Sequence, residues 1–208
     1  MSGARLKHYG WGREDEGMTA EEQAFVLGRY HAKFARDAFE TKAVPRLEDL
    51  GLRAPRVALP SSLAAFCTSE RYDRVAHTYG KSYPDYVRAM LGDYDSAPDV
   101  VAYPRNEAEI SAVMDWAGGV SASLTPFGGG SSVCGGVEPR IDGLRYRAAV
   151  TLDLRNLGKV VEVDQISRAA LIEGGAYGPS LENQLKPHGV TLRHFPQSFE
   201  YSTLGGWI

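Results

Sequence analysis

The pattern of hydrophobic and polar positions changes about half-way along the chain. In the first half, residues 20–40 are rich in helix-forming and aromatic residues, and residues 69–90 again favour an interrupted helix. Thr19 followed by Glu22 is a capping-box spacing, which predicts that the first helix begins there. Residues 1–97 are therefore predicted to be a helical and irregular segment.

Strand and helix patterns alternate in residues 98–208. Residues 99–103 and 120–124 are typical of short strands, and apolar residues at i, i+3, i+4 and i+7 between them predict a helix. Asn106 with Glu109 offers that helix a second capping box. Its predicted apolar face consists of Ile110, Val113, Met114 and Ala117.

Three further strand patterns follow, at residues 149–154, 159–163 and 168–173. In the first, apolar residues alternate with Thr151 and Asp153, which predicts one buried and one exposed face. A short helix closed by a proline and a glycine comes next. The fold class predicted from these patterns is α+β, divided between residues 97 and 98.

Composition limits the class of protein. The 208 residues include 23 Lys and Arg against 26 Asp and Glu, a net charge of −3, which argues against nucleic acid as a partner. No apolar run reaches the roughly 18 residues of a membrane span, and the N-terminus has no secretory signal. We therefore expect a cytoplasmic protein, with peripheral membrane attachment left open. The two cysteines, Cys67 and Cys134, have no zinc spacing, so we expect no metal and interpret Cys134 as structural.

A glycine-rich loop is the strongest candidate for chemistry. Three consecutive glycines, Gly128–Gly130, directly follow a predicted strand and precede Ser131 and Ser132. Without Cβ atoms the backbone N–H groups can converge on an anion, and the hydroxyls add donors, so phosphate or diphosphate is the natural ligand. The loop lacks the lysine of a Walker loop and the glycine spacing of a Rossmann fingerprint. On these residues alone, a merely flexible turn is the alternative.

Five motifs occur in one order along nearly the whole chain. Pro-Phe-Gly-Gly-Gly-Ser-Ser occupies residues 126–132, Glu-Gly-Gly-Ala-Tyr residues 173–177, and a longer motif residues 194–207. Earlier come Lys-His-Tyr-Gly-Trp-Gly at residues 7–12 and Arg-x-x-His-x-x-Gly at residues 74–80. This order resembles flavoproteins of the vanillyl-alcohol-oxidase type, above all their alkyldihydroxyacetonephosphate synthase branch. The resemblance implies the first part of a PCMH-type, two-subdomain FAD-binding domain with FAD as cofactor.

The resemblance also implies roles for particular residues. The glycine loop would wrap the FAD diphosphate, a second segment would hold the flavin side, and His194 would be catalytic, transferring protons or stabilising an anionic reduced flavin. Gly130 stands where some relatives attach FAD through a histidine, so FAD is expected to be non-covalent. The implied FAD-binding residues are Pro126, Phe127, Gly128, Gly129, Gly130, Ser131 and Ser132 in the loop, and Gln197, Ser198, Phe199, Glu200, Tyr201, Ser202 and Thr203 in the second segment.

For the full-length parent, the resemblance implies an FAD-dependent enzyme. One hypothesis is the exchange of an acyl group for a fatty alcohol on a dihydroxyacetone-phosphate ester. The alternatives are a D-lactate-like 2-hydroxy-acid dehydrogenase or oxidase and, from another class, an inactive remnant. A small-molecule or lipid-like substrate is expected, and a homodimer is left open. Because the chain ends in an apolar Gly-Gly-Trp-Ile stretch, we expect an N-terminal fragment that is inactive alone; a buried C-terminal strand is the alternative.

Overall fold

The computed structural model describes residues 5–35, 42–141, 143 and 145–208. Both helices and strands are present, as the predicted α+β class requires. Within those ranges, no helix is long and apolar enough to cross a membrane. The helices are α1 (Ala20–Phe34), α2 (Arg71–Ala76), α3 (Tyr83–Met90), α4 (Glu107–Gly119) and α5 (Gly178–Leu185). The strands are β1 (Cys67–Thr68), β2 (Val100–Ala102), β3 (Ala122–Phe127), β4 (Ala148–Asp153), β5 (Val160–Asp164) and β6 (Ala169–Ile172).

The first four strands form one sheet in the order β1-β2-β4-β3. Strands β2 and β3 both run parallel to β4, and the two-residue β1 pairs antiparallel with β2. Helix α4 connects β2 with β3, which lie on either side of β4 and run in the same direction, so that the chain needs a crossover between them. Strands β5 and β6 form a separate antiparallel pair. The predicted strands are confirmed, whereas β1 had no recognisable strand pattern.

Strand β4 is buried on both faces. All six of its residues are buried, including Thr151 and Asp153, so the predicted exposed face of this strand is wrong. One face, with Val150 and Leu152, packs in the core beneath α4. The other face meets His77, which directly follows α2. A central parallel strand is covered on both sides because the crossover segments lie over both faces of the sheet.

The two predicted capping boxes differ in the structure. At α1, Thr19 Oγ1 accepts from the Glu22 N–H at 3.2 Å, and the Glu22 carboxylate accepts from the Thr19 N–H at 2.8 Å. At α4, Asn106 accepts from the Glu109 N–H at 2.9 Å, but the Glu109 carboxylate accepts from the backbone of Arg105. The second box is therefore half formed, because the ion pair with the Arg105 guanidinium, at 2.6 Å, holds that carboxylate.

The face of α4 that contacts the sheet is rotated from the predicted one. Val113 and Ala117 are buried, and Ile110 and Trp116 pack at the margin of the same core. Met114, predicted to lie on the apolar face, is 54% exposed. At 100° per residue, Met114 lies beyond the edge of a stripe that extends towards Trp116.

Candidate functional site

A groove of about 540 Å³ runs along the glycine loop. Residues 126–132 form one part of its lining, and Ser202, Thr203 and Trp207 form another, with His194 at the same groove. The loop directly extends β3, which continues through Pro126 and Phe127 further than predicted. The sheet therefore determines where the loop begins and in which direction it leaves.

Close backbone packing explains two of the three consecutive glycines. A Cβ atom at Gly128 would lie 2.1 Å from Thr203 Oγ1, and one at Gly129 would lie 1.7 Å from the carbonyl oxygen of Tyr201. Neither position has room for any side chain. The glycines bring the loop and the second segment together, which is more than a flexible turn requires.

The third glycine closes the loop over an aromatic ring. Gly130 has φ +68°, and a Cβ atom there would lie 2.4 Å from Phe127 Cζ. The Phe127 ring in turn lies 4.4 Å, between centroids, from the imidazole of His77. A side chain at position 130 would therefore be strained in its backbone and would displace a packed ring.

The loop residues that line the groove carry unsatisfied backbone donors. Among the described residues, the backbone N–H groups of residues 128–131 have no hydrogen-bond acceptor. Such groups bond to water or to a ligand in a folded protein. No Asp or Glu of the described ranges lines the groove, and the Ser131 side chain borders it. Backbone N–H groups without acceptors, at a groove that no carboxylate of the described ranges lines, favour an anionic ligand.

The motif at residues 74–80 holds the loop from behind. The backbone N–H of Lys81 donates to the Ser132 carbonyl at 2.7 Å. A Cβ atom at Gly80 would lie 2.0 Å from that same oxygen, so this close approach requires glycine. The sequence alone showed the motif but gave no role for it. In the structure its last residue, Gly80, contacts the candidate site at Ser132.

His77 is fixed by acceptors on both ring nitrogens. Nδ1 lies 2.7 Å from the Asp73 carbonyl oxygen, and Nε2 lies 2.8 Å from Asp153 Oδ2. Each ring nitrogen therefore has a hydrogen-bonding partner, and together the two bonds hold the ring in one orientation. Burial alone would raise the pKa of Asp153, but the bonds from His77 and Arg155 hold it below its ordinary value. Asp153 is the sheet partner of Phe127, so this buried charge cluster lies directly under the loop.

Hydrogen bonds also fix the second part of the lining. Trp207 Nε1 donates to Ser202 Oγ at 2.7 Å, and Ser202 Oγ donates to the Ser198 carbonyl at 2.8 Å. The His194 ring lies 5.5 Å from the Trp207 ring, between centroids. His194 itself is exposed. An exposed imidazole packed against a fixed indole can reach a ligand in the groove.

The groove gathers most of the residues predicted for the site. Four predicted residues, Gln197, Phe199, Glu200 and Tyr201, lie outside its lining. Residues 197–201 form successive turns, which direct neighbouring side chains to different sides. Phe199 packs near Trp207, and Glu200 and Tyr201 line a second cavity. The predicted residues in the groove lining are Pro126, Phe127, Gly128, Gly129, Gly130, Ser131, Ser132, His194, Ser198, Ser202 and Thr203.

Cys134 is a groove residue whose place the sequence did not indicate. We interpreted it as structural, yet it is exposed and lines the groove. Its Sγ lies 3.6 Å from Ser132 Oγ. Hydrogen bonds from Ser132 and from the Gly136 backbone lower the pKa of the Cys134 thiol. The signal in the sequence that could have placed Cys134 at the groove was its position, two residues beyond the glycine loop.

Residues 98–208 match the family described as FAD binding domain. The chain belongs to this family. The unsatisfied N–H groups of the glycine loop agree with FAD, because a diphosphate is the anion that they suit. The matched range begins at residue 98, where the strand and helix patterns begin to alternate in the sequence.

Individual relatives refine the family. The chain is 39% identical to alkyldihydroxyacetonephosphate synthase of Dictyostelium discoideum over 139 aligned residues. The aligned region covers 67% of this chain and 22% of that protein. A solved alkyldihydroxyacetonephosphate synthase superposes with TM-score 0.82 at 28% identity, over 98% of this chain and 42% of that one. D-lactate dehydrogenase of Archaeoglobus fulgidus is 29% identical, over 52% of this chain and 23% of that protein. The chain thus spans less than half the length of these relatives, and resembles the synthase more closely than the dehydrogenase.

Proposed function

We propose that the glycine loop binds the diphosphate of FAD and that residues 197–203 lie on its flavin side. The observation that carries this proposal is the set of backbone N–H groups at residues 128–131 without acceptors among the described residues. They border a groove large enough for an extended ligand, with no lining Asp or Glu in the described ranges. Of the second segment, Ser198, Ser202 and Thr203 are the members in that lining.

FAD is held without a covalent bond in this proposal. Position 130 is glycine with positive φ, and Phe127 occupies the space that a side chain would need. Within the loop no imidazole is therefore available as an anchor. Binding then depends on hydrogen bonds and packing alone, so affinity for FAD is a direct measure of the loop geometry.

We further propose that the whole protein is an enzyme of the alkyldihydroxyacetonephosphate synthase type. It would exchange the acyl group of a dihydroxyacetone-phosphate ester for a fatty alcohol. FAD, when bound, supplies an electron-accepting isoalloxazine ring. His194, exposed at the groove, accepts a proton when neutral and donates one when charged. The 39% identity to a synthase, against 29% to a D-lactate dehydrogenase, supports this choice.

The proposal also covers the division of the chain into segments and the substrate, assembly and location of the whole protein. The start of the family match at residue 98 supports the division into residues 1–97 and 98–208. That division does not make the first segment independent, since β1 (Cys67–Thr68) pairs with β2. A lipid-like substrate and a homodimer are proposed for the whole protein, and a cytoplasmic location stays a prediction.

The test separates cofactor binding from catalysis. The chain is titrated with FAD, and flavin fluorescence reports saturation. His194→Gln is then compared with the unchanged protein for FAD affinity and, in the full-length protein, for acyl-for-alkyl exchange. We expect equal FAD affinity and at least a hundredfold loss of exchange, on the order of a lost general acid–base group. Equal exchange in both proteins would remove His194 from the mechanism, and absence of FAD binding by the unchanged full-length protein would overturn the groove assignment.

A further inference from the structure

Two cavities with shared lining residues border the glycine loop at Gly129, which also lines the groove, but Ser202 and Thr203 line neither of them. Their volumes are about 30 and 340 Å³. We call them together the rear cavity. Residues that line both are Leu6, Tyr72, Gly129, Arg155 and Tyr201. Because the two cavities share these lining residues, one ligand can occupy both of them.

The rear cavity has a strong excess of positive charge. Its cationic lining side chains are Arg5, Lys7, Arg13, Lys81 and Arg155. Glu200 is the one carboxylate that the described residues contribute to this lining. A cavity with walls of low dielectric and one sign of charge attracts ions of the opposite sign.

Two of these cations have no compensating partner. Arg5 pairs with Glu14 at 3.2 Å, and Arg155 pairs with Asp153 at 2.6 Å. For the ammonium groups of Lys7 and Lys81, by contrast, the described part of the chain supplies neither an ion pair nor a hydrogen bond.

Burial of the Lys81 ammonium group raises the free-energy cost of leaving it without an ion-pair partner. Burial lowers the pKa of Lys81 to about 8, and the charge of Asp85 offsets that effect only in part. Lys81 follows Gly80, whose close approach to Ser132 fixes this backbone. A partly buried ammonium without a partner costs free energy that a bound anion would recover.

The wall opposite the glycine loop is held in place before any ligand binds. The Lys7 N–H donates to the Gly12 carbonyl at 3.0 Å, which closes the N-terminal turn. Tyr72 of α2 donates its hydroxyl to the Leu6 carbonyl at 2.7 Å. Preformed walls reduce the entropy lost on binding, so this arrangement suits a small rigid ligand.

We propose that the rear cavity binds a phosphate group, either free phosphate or the phosphate monoester of a small molecule. The unpaired ammonium groups of Lys7 and Lys81 supply two positive charges for a dianion, and Arg155 borders the same space. The larger volume exceeds what one phosphate fills, and Tyr72, Tyr177 and Tyr201 line it for an organic portion. This site is distinct from the FAD groove and does not depend on the FAD proposal.

The first experiment is calorimetric titration of the chain with inorganic phosphate and, separately, with glycerol phosphate, at constant ionic strength set by chloride. We expect one saturable site that FAD does not displace. Tighter binding of glycerol phosphate assigns the larger volume to an organic portion, and equal binding assigns the site to phosphate alone. Displacement by FAD would place the phosphate in the groove and overturn the proposal, as would the absence of saturable binding.

Variants identify the cavity as the place of binding. Lys81→Met keeps the chain length of the side chain and removes an unpaired charge, so we expect an intact fold and affinity about tenfold lower or weaker still. Lys186→Met, at an exposed lysine after α5, is the matched control and should bind normally. Lys81→Arg should retain binding. Equal affinity in Lys81→Met and Lys186→Met would show an adventitious ion only.

Proton uptake gives a second readout specific to Lys81. The charged and titratable groups around it are Asp85 from α3, Lys7 from the N-terminal turn, His77 after α2 and Arg155 after β4. At about pH 8, which is the pKa of the buried Lys81, phosphate binding should draw a proton onto its amine. Calorimetry in two buffers of different ionisation enthalpy measures this uptake. Uptake that persists in Lys81→Met would contradict the assignment.

Discussion

Gly129 and Tyr201 are in direct backbone contact: a Cβ atom on Gly129 would lie 1.7 Å from the Tyr201 carbonyl oxygen. Gly129→Ala must therefore push the glycine loop away from the second segment. We expect FAD affinity to fall at least tenfold and the free energy of unfolding to fall by about 1–3 kcal/mol, the usual cost of overpacking. Flavin fluorescence titration and urea unfolding measure the two effects.

A glycine elsewhere in the same chain supplies the control. Gly118 lies in α4, and a Cβ atom there would meet nothing within 4 Å. Gly118→Ala should leave FAD affinity unchanged and stabilise the protein by about 0.5–1 kcal/mol, because alanine is the better helix former. If Gly129→Ala binds FAD as well as Gly118→Ala does, the close contact has no part in forming the site.

The two cysteines should differ sharply towards a thiol reagent. Cys134 is exposed, and hydrogen bonds from Ser132 and Gly136 lower its pKa, whereas burial raises the pKa of Cys67 to about 11. Since the thiolate is the reactive form, maleimide should label Cys134 first and Cys67 only after unfolding. Mass spectrometry of peptides identifies the labelled site.

FAD should protect Cys134, which lines the groove. We expect labelling of Cys134 to slow at least tenfold at saturating FAD, while labelling of Cys67 in the unfolded protein does not change. An unchanged Cys134 rate in protein shown to be saturated with FAD would place the cofactor outside this groove.

Asp153 should make stability depend on pH in the acid range. The bonds from His77 and Arg155 hold its folded pKa below the roughly 3.9 of an unfolded aspartate. Its stabilisation is therefore complete above about pH 4 to 5 and is lost as the pH falls through the folded value. Asp153→Asn should cost about 3 kcal/mol at pH 7, because it removes the carboxylate with which the Arg155 guanidinium pairs at 2.6 Å.

Urea unfolding of both proteins from pH 7 to pH 3 tests this dependence. The difference between the unchanged protein and Asp153→Asn should shrink as the pH falls below about 4. Asp115→Asn, at an exposed carboxyl of α4, is the control and should unfold like the unchanged protein throughout. A constant difference down to pH 3 would mean that the charge of Asp153 does not contribute.

Acid precipitation tests directly whether FAD is bound without a covalent link to the protein. Gly130 offers no side chain and has no space for one, so acid precipitation of FAD-loaded protein should leave all flavin in the supernatant. Flavin that stays with the pellet would show a covalent attachment at another residue. Peptide mapping of the pellet would then locate it.

Local patterns predicted much of the fold. Alternation and β-forming residues predicted the ends of β4, β5 and β6 to within one or two residues. The reason is that strand periodicity depends on side chains that are neighbours in the sequence. The Thr19–Glu22 cap was predicted in full for the same reason, since both partners lie within one turn. The Asn106–Glu109 box was overestimated, because a competing cation, Arg105, decides where the carboxylate points.

Patterns along the sequence were enough to predict the order of the strands and helices, the glycine loop and the family to which they belong. The contacts between those parts emerge from the fold: Gly80 meets Ser132, His77 meets Asp153, and Tyr201 lines a second cavity instead of the groove. The physical reason is the range of the interactions. Hydrophobic period and capping act between residues a few positions apart, whereas the site consists of contacts between segments far apart in the chain, which exist only once the sheet has brought them together.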